Sequence, residues 1–252
     1  IKIKVLSTNN KNIDLKINGR FKKDLSNQPK KNIVYKAASY FMKKYNINSD
    51  ILITLNKNLP VASGIGGGSA DAAATLRKLL KLFNINKSIF YKNLHTEIAK
   101  ELGADIPVCL YSSALNIKNI GEKISNFPIN LKKIIINNNY IILITPNKPI
   151  STKMVFNNWS KKPQHTNIIN KNKHYPTIGI NDLKSTAENI EHSIITAQKM
   201  LSLQNGIKYF GMSGSGATCF GLFRKRNLAT QAENKIKQLR PKWWVKSASI
   251  II

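Results

Sequence analysis

Apolar and polar residues alternate over residues 1–5 and again over 13–17. That period of two predicts half-buried strands, joined as a hairpin or lying at a sheet edge, with a polar turn over 9–12 between them. The period then changes. Val34, Ala37, Ala38, Phe41 and Tyr45 recur at helical spacing and predict an amphipathic helix over 32–45. A short apolar strand over 51–55 follows, and Ala73, Leu76, Leu80 and Phe83 stripe a second helix. A third helix over 87–102 stops at Gly103. Apolar runs place strands at 107–111, 114–117 and 140–145.

A polar break over Asn137, Asn138 and Asn139 divides the chain into residues 1–139 and 140–252. The second half holds an irregular stretch over 157–177, rich in Lys, Asn, His and Pro, that is expected on the surface or over a site. Beyond it, Leu183, Ala187, Ile190, Ile194, Ala197 and Leu201 predict one long helix. Strands over 207–212 and 217–223, a helix over 228–239 and a closing strand over 243–252 complete the pattern. Strand, helix, two strands, helix and strand is a ferredoxin-like order.

At 252 residues, 42% of them hydrophobic, the chain has material for one or two cores. Its net charge of +28, from 40 Lys and Arg against 12 Asp and Glu, ordinarily points to nucleic acid. Here the lysines are dispersed along the whole length among Asn and Ile, without a basic block interleaved with aromatics. A nucleic-acid partner is therefore not expected, and the charge favours a small anionic substrate. No apolar run approaches eighteen residues, so a cytoplasmic protein with no membrane segment is expected. Cys109 and Cys219 sit in apolar runs and are expected to be buried thiols, and the four histidines lack ligand spacing.

The richest chemistry lies between strand and helix, in Leu59-Pro60-Val61-Ala62-Ser63-Gly64-Ile65-Gly66-Gly67-Gly68-Ser69-Ala70-Asp71. Glycines here allow positive φ and inward-turned amides, and the following helix adds its unpaired first-turn N–H groups and its positive end. A Walker A loop is excluded, since no lysine follows Gly68-Ser69, and a dinucleotide fingerprint fails because its third glycine falls at Ser69. Taken alone, the glycine triplet fits either a phosphate cradle or a plain connecting turn. Asp105, in Leu102-Gly103-Ala104-Asp105-Ile106-Pro107, likewise reads alone as a turn or cap residue.

The whole glycine string resembles the Pro-x-x-x-Gly-Leu-Gly-Gly-Gly-Ser-Ser-Asp-Ala-Ala motif of the GHMP kinases, with Ile65 for Leu and Ala70 for the second Ser. Further strings are similar to one branch, the 4-diphosphocytidyl-2-C-methyl-D-erythritol kinases of the non-mevalonate isoprenoid pathway. They are the Asp105 turn, Asn32-Ile33-Val34-Tyr35-Lys36-Ala37-Ala38, the stretch Thr145-Pro146-Asn147-Lys148-Pro149-Ile150-Ser151-Thr152 with Phe156 beyond it, Asn181-Asp182-Leu183, and Met212-Ser213-Gly214-Ser215-Gly216-Ala217-Thr218. Asn181 also reads as a plain helix cap, and Gly214-Ser215-Gly216 as a hairpin turn.

The resemblance implies a two-domain α+β GHMP kinase fold, a ribosomal-protein-like first domain followed by the ferredoxin-like second. It implies an ATP-dependent small-molecule kinase that uses Mg²⁺ and phosphorylates an anionic cytidine-diphosphate sugar alcohol, acting as a monomer or weak homodimer. Another GHMP kinase, or an inactive nucleotide-binding remnant, stays open as an alternative. By position, Asp105 would be the catalytic base and Phe156 would stack on the cytosine. Asn32, Lys57, Pro60, Gly64, Gly66, Gly67, Gly68, Ser69, Gly214, Ser215 and Gly216 would hold ATP, with Ser69 also meeting the metal. Lys57 fits a solvated position equally well at this stage. The resemblance does not include the family's opening Ala-Lys-Ile-Asn-Leu strand and Gly-Tyr-His segment, and Lys2 and Lys4 fall in a later strand. On that reading the 252-residue form is expected to bind ATP weakly and turn over slowly or not at all.

Overall fold

The structure, a computed structural model, describes residues 1–6, 10–25, 28–118, 123–159 and 181–251. They form two compact units. One comprises Ile1–Val61 with Gly66–Phe127, and the other Ala62–Ile65 with Pro128–Ile252. The sequence reading set its division at residue 139; by contacts, the segment from Pro128 onward goes with the second unit.

The first unit contains strands β1 (Lys2–Leu6), β2 (Ile13–Asn18) and β3 (Asp50–Asn56), with helix α1 (Ile33–Lys44) between the last two. Helices α2 (Gly67–Leu82), α3 (Lys87–Glu101) and α4 (Ile106–Tyr111) follow, then the antiparallel pair β4 (Leu115–Lys118) and β5 (Lys123–Asn126). β3 takes the centre of a three-stranded sheet in the order β1-β3-β2, antiparallel to β1 and parallel to β2. The first two strands are therefore the two edges of the sheet, and the hairpin alternative falls. The physical reason lies in β3, whose Ile51, Ile53 and Leu55 are all buried, so the most apolar strand is flanked on both sides. Ile13, Leu15 and Ile17 of β2 turn one half-buried face to the core while Asp14, Lys16 and Asn18 face out. α1 and α2 pack together, burying Val34, Ala37, Ala38 and Phe41 against Ala73, Leu76 and Leu80.

The strand expected at 107–111 is instead α4. A five-residue apolar run cannot separate strand from buried helix by period alone. Here Pro107 stands in the first helical turn, where its missing N–H is no loss, and Ile106 and Leu110 share one buried face.

The second unit contains α5 (Ile129–Asn137), β6 (Tyr140–Thr145), α6 (Thr152–Asn158), α7 (Lys184–Ile190), α8 (Ser193–Ser202), β7 (Ile207–Met212), β8 (Cys219–Phe223), α9 (Arg226–Leu239) and β9 (Trp244–Ser249). Its antiparallel sheet runs β7-β8-β6-β9, the strand order of a ferredoxin-like fold. Ile142, Ile144, Cys219 and Phe223 bury one sheet face against Ile194, Ala197 and Leu201 of α8 and Ile236 of α9. The single long helix expected over 183–201 is broken at Glu191, which is extended and whose carboxylate accepts the Ser193 N–H at 3.0 Å to restart α8.

Cys219 is buried and its thiol is pushed far up by that burial, whereas Cys109 is only half-buried; neither forms a disulfide. Most of the irregular stretch expected over 157–177, with His165 and His174, lies outside the described residues. Among the described residues no helix is long and apolar enough to cross a membrane, and no three His, Cys, Asp or Glu side chains cluster to hold a metal.

Candidate active site

In the first unit the site is assembled where β3 runs into the glycine string. Lys57 directly follows β3, and its backbone is clamped on both sides: its N–H donates to the Asn18 carbonyl at 2.7 Å, and its carbonyl accepts the Phe21 N–H at 3.0 Å. Its side chain, 6% exposed, places Nζ 2.6 Å from Asp71 Oδ2 on α2. The solvated alternative for Lys57 is thereby overturned, because a buried ammonium needs a counter-charge and Asp71 supplies it.

Pro60 is buried, and the chain enters α2 through Gly66, left-handed at φ +64°. The first helical bond runs from Ala70 N–H to Gly66 C=O at 2.9 Å, so the amides of Gly67, Gly68 and Ser69 have no carbonyl one turn back to bond. A side chain added at Gly66 would stand in open space, one at Gly67 would lie 3.4 Å from Lys57 Nζ, and one at Gly68 would touch Ile33 at 3.7 Å. Ile33 is the neighbour of Asn32, which caps α1 by accepting the Val34 N–H on Oδ1 at 2.9 Å. Lys57, the triplet and the start of α1 are thus brought together at one helix end.

Asp105 immediately precedes α4, is exposed, and caps none of that helix's amides with its side chain. α4 is held on α2 by Arg77, whose Nη1 donates to the Cys109 carbonyl at 2.5 Å and the Leu110 carbonyl at 3.4 Å. Burial raises the Cys109 thiol above its ordinary range, and the Asp105 carboxylate adds to that rise. The sequence reading missed Arg77. Its signal was position: it sits four residues after Ala73 and three before Leu80, on the buried side of the helix, where an arginine needs a partner.

In the second unit the loop between β7 and β8 is fastened at four points. Asn181 Nδ2 donates to the carbonyls of Met212 at 3.0 Å and Gly214 at 2.9 Å, while its Oδ1 accepts the Leu183 N–H at 3.1 Å. The N-cap of α7 is Leu183, so this asparagine ties the turn ahead of the helix to the β7–β8 loop instead of capping the helix. Thr152 Oγ1 and Ser215 Oγ hydrogen-bond at 3.0 Å, and Thr145 Oγ1 and Thr218 Oγ1 at 2.7 Å. The fourth tie comes from the glycine string itself: Thr218 N–H donates to the Ser63 carbonyl at 3.1 Å, and Ser213 Oγ to the Gly64 carbonyl at 2.9 Å. Gly64, at φ +75°, leaves no room for a side chain, since a Cβ there would come within 2.5 Å of the Gly216 carbonyl and 2.6 Å of that of Ser213. Ala62–Ile65 therefore packs with the second unit, while Gly66, Gly67, Gly68 and Ser69 open α2 in the first.

Beside this loop lies a cavity of about 550 Å³ lined by Phe156, Trp159, Asn181, Asp182, Ser213 and Gly214 among others. Phe156 is 52% exposed, so its ring is a cavity wall and not a core filler. Trp159 was not foreseen. Its indole N–H is buried and has no hydrogen-bond partner among the described residues.

Two family descriptions match the chain: "GHMP kinases N terminal domain" over residues 32–113 and "GHMP kinases C terminal" over 175–242. A relative from Sinorhizobium medicae, named 4-diphosphocytidyl-2-C-methyl-D-erythritol kinase, is 36% identical over 245 residues, covering 92% of this chain and 78% of its own. One of the same name from Clostridium botulinum is 37% identical over 204 residues, covering 77% and 69% respectively. Among solved structures, a 4-(cytidine 5'-diphospho)-2C-methyl-D-erythritol kinase superposes with a TM-score of 0.72 at 20% identity, covering 98% of this chain and 85% of its own, which shows the shared fold. With family descriptions matched in both halves and these relatives alike over most of the chain, the chain belongs to the GHMP kinases, in the 4-diphosphocytidyl-2-C-methyl-D-erythritol kinase family.

Proposed function

We propose that the chain transfers the γ-phosphoryl group of ATP to the 2-hydroxyl of 4-diphosphocytidyl-2-C-methyl-D-erythritol, on the route to isoprenoid precursors. The observation that carries the reading is the start of α2, where the amides of Gly67, Gly68 and Ser69 precede the first helical hydrogen bond and the buried Lys57 ammonium lies beside Gly67. That is a fitting receptor for polyphosphate, because N–H groups, the positive helix end and an ammonium all favour the same charge. Bound ATP would supply the phosphoryl group and the leaving group, and Mg²⁺ would neutralise charge on the phosphates. The residues fit both. Mg²⁺ commonly arrives with phosphates and takes only one or two protein oxygens, which suits Ser69 and the absence of a carboxylate cage among the described residues.

Phosphoryl transfer asks little covalent chemistry of a protein, so catalysis rests on placement. The amides of Gly67, Gly68 and Ser69 fix the phosphates. Asp105 accepts the proton of the attacking hydroxyl, a role suited to an exposed carboxylate that no cap occupies. Asn32 and Pro60 border the nucleotide. In the second unit Phe156 offers its ring to the cytosine. The enzyme would be cytoplasmic and act as a monomer or weak homodimer.

A substrate panel with ATP tests the proposal. The highest kcat/KM is expected for the cytidine substrate, and a preference for homoserine or mevalonate would assign the chain to another GHMP kinase activity. Phe156→Ala is expected to raise KM for the cytidine substrate by roughly 5- to 150-fold, the equivalent of losing a base-stacking contact of about 1–3 kcal/mol, with KM for ATP little changed. Equal rises in both KM values would remove Phe156 from base recognition.

A further inference from the structure

Asp71 is one of only 12 acidic residues in a chain carrying 40 basic ones, yet it is held in a half-buried ion pair rather than on the surface. It lies on α2 just beyond the glycine triplet, and its backbone carbonyl accepts the Thr75 hydroxyl at 2.9 Å, which leaves the carboxylate for Lys57. An ammonium carries three N–H donors. Asp71 engages one at 2.6 Å, and among the described residues no other group bonds to Nζ. The residue is 5% exposed overall, and Nζ lies 3.4 Å from where a Gly67 side chain would begin. A buried ammonium with two unmet donors under an anion-favouring helix end is poised for a ligand that accepts hydrogen bonds and carries negative charge.

We propose that Asp71 is a positioning residue for nucleotide binding: it anchors the Lys57 ammonium beneath Gly67, so that the two remaining donors meet a phosphate of ATP. The inference deepens the kinase reading and rests on it. Without Asp71 the buried ammonium loses its counter-charge and its anchor. One consequence follows for Asp71→Asn, which keeps side-chain shape. ATP binding weakens by about tenfold near neutral pH, the scale of one charged hydrogen bond. The effect acts through Lys57, so in a Lys57→Met background Asp71→Asn changes ATP affinity little further.

The experiment is calorimetric titration with ATP near neutral pH for the unaltered chain, Asp71→Asn, Lys57→Met and the double variant. The expected result is a loss of about tenfold in the first variant that disappears in the Lys57→Met background. Equal losses from Asp71→Asn in both backgrounds would make Asp71 merely structural and overturn the inference. Should Asp71→Asn fail to fold, Asp71→Ser takes its place in both backgrounds with the same expected loss, and equal losses in both overturn the inference equally. If the unaltered chain binds no ATP, the kinase reading falls with it; if it binds and these variants do not matter, only the role of Asp71 falls.

Discussion

Asp105→Asn is expected to lower kcat by on the order of 10²-fold or more, the usual scale for losing a general base, with little change in ATP affinity or thermal stability. The separation of effects follows from where Asp105 stands. Its side chain is exposed and caps no amide of α4, so the isosteric amide removes no structural bond. The helix it precedes is docked by Arg77 on the carbonyls of Cys109 and Leu110 at the far end, a contact the substitution leaves intact. Steady-state kinetics beside thermal unfolding checks this. Near-normal turnover would show that another group takes the proton, and a large fall in melting temperature would mean that Asp105 supports the fold.

Gly64→Val is expected to destabilise the second unit by about 2–6 kcal/mol, summing the strain of a branched residue at positive φ and the overpacking it forces. A Cβ at this position meets backbone of Ser213 and Gly216, which cannot swing aside as a flexible side chain would. The Ser213 hydroxyl would also lose its acceptor as the strand of glycine string shifts. Gly66→Ala provides the control. It has a similar left-handed φ but nothing within 4 Å of the new Cβ, so it should fold with a penalty of only about 1–2 kcal/mol. Denaturant unfolding of both variants is the measurement, and equal losses would mean that the contact with the second loop does not matter.

Features written in local pattern were legible in the sequence. The amphipathic stripes of α1 and α2 and the ferredoxin-like order of the second unit followed from period and spacing, because each depends on residues within a few turns of one another. Features set by distant partners were not. That β3 lies between β1 and β2 depends on which strand is buried on both flanks, and no single strand declares that. The run at residues 107–111 is too short for its period to choose helix over strand. Lys57 is one basic residue among 40, and only the folded chain reveals its pairing with Asp71. The glycine string read as one loop, yet Gly64 packs on Ser213, 149 residues away, while Gly66 begins a helix in the other unit. Phe156 was singled out by resemblance and stands on a cavity wall, whereas the places of Trp159 and Arg77 were readable only in outline.

Transfer of a phosphoryl group from ATP to one particular hydroxyl leaves a product that itself reports which hydroxyl was used. The 2-hydroxyl of the substrate is on a carbon that bears a methyl group and no hydrogen, so a phosphomonoester formed there has no hydrogen three bonds from phosphorus. Proton-coupled phosphorus NMR of a reaction containing the chain, ATP, Mg²⁺ and 4-diphosphocytidyl-2-C-methyl-D-erythritol should therefore show a new unsplit phosphomonoester resonance growing in step with ADP. A split phosphomonoester signal, or ADP accompanied only by inorganic phosphate, would contradict the account.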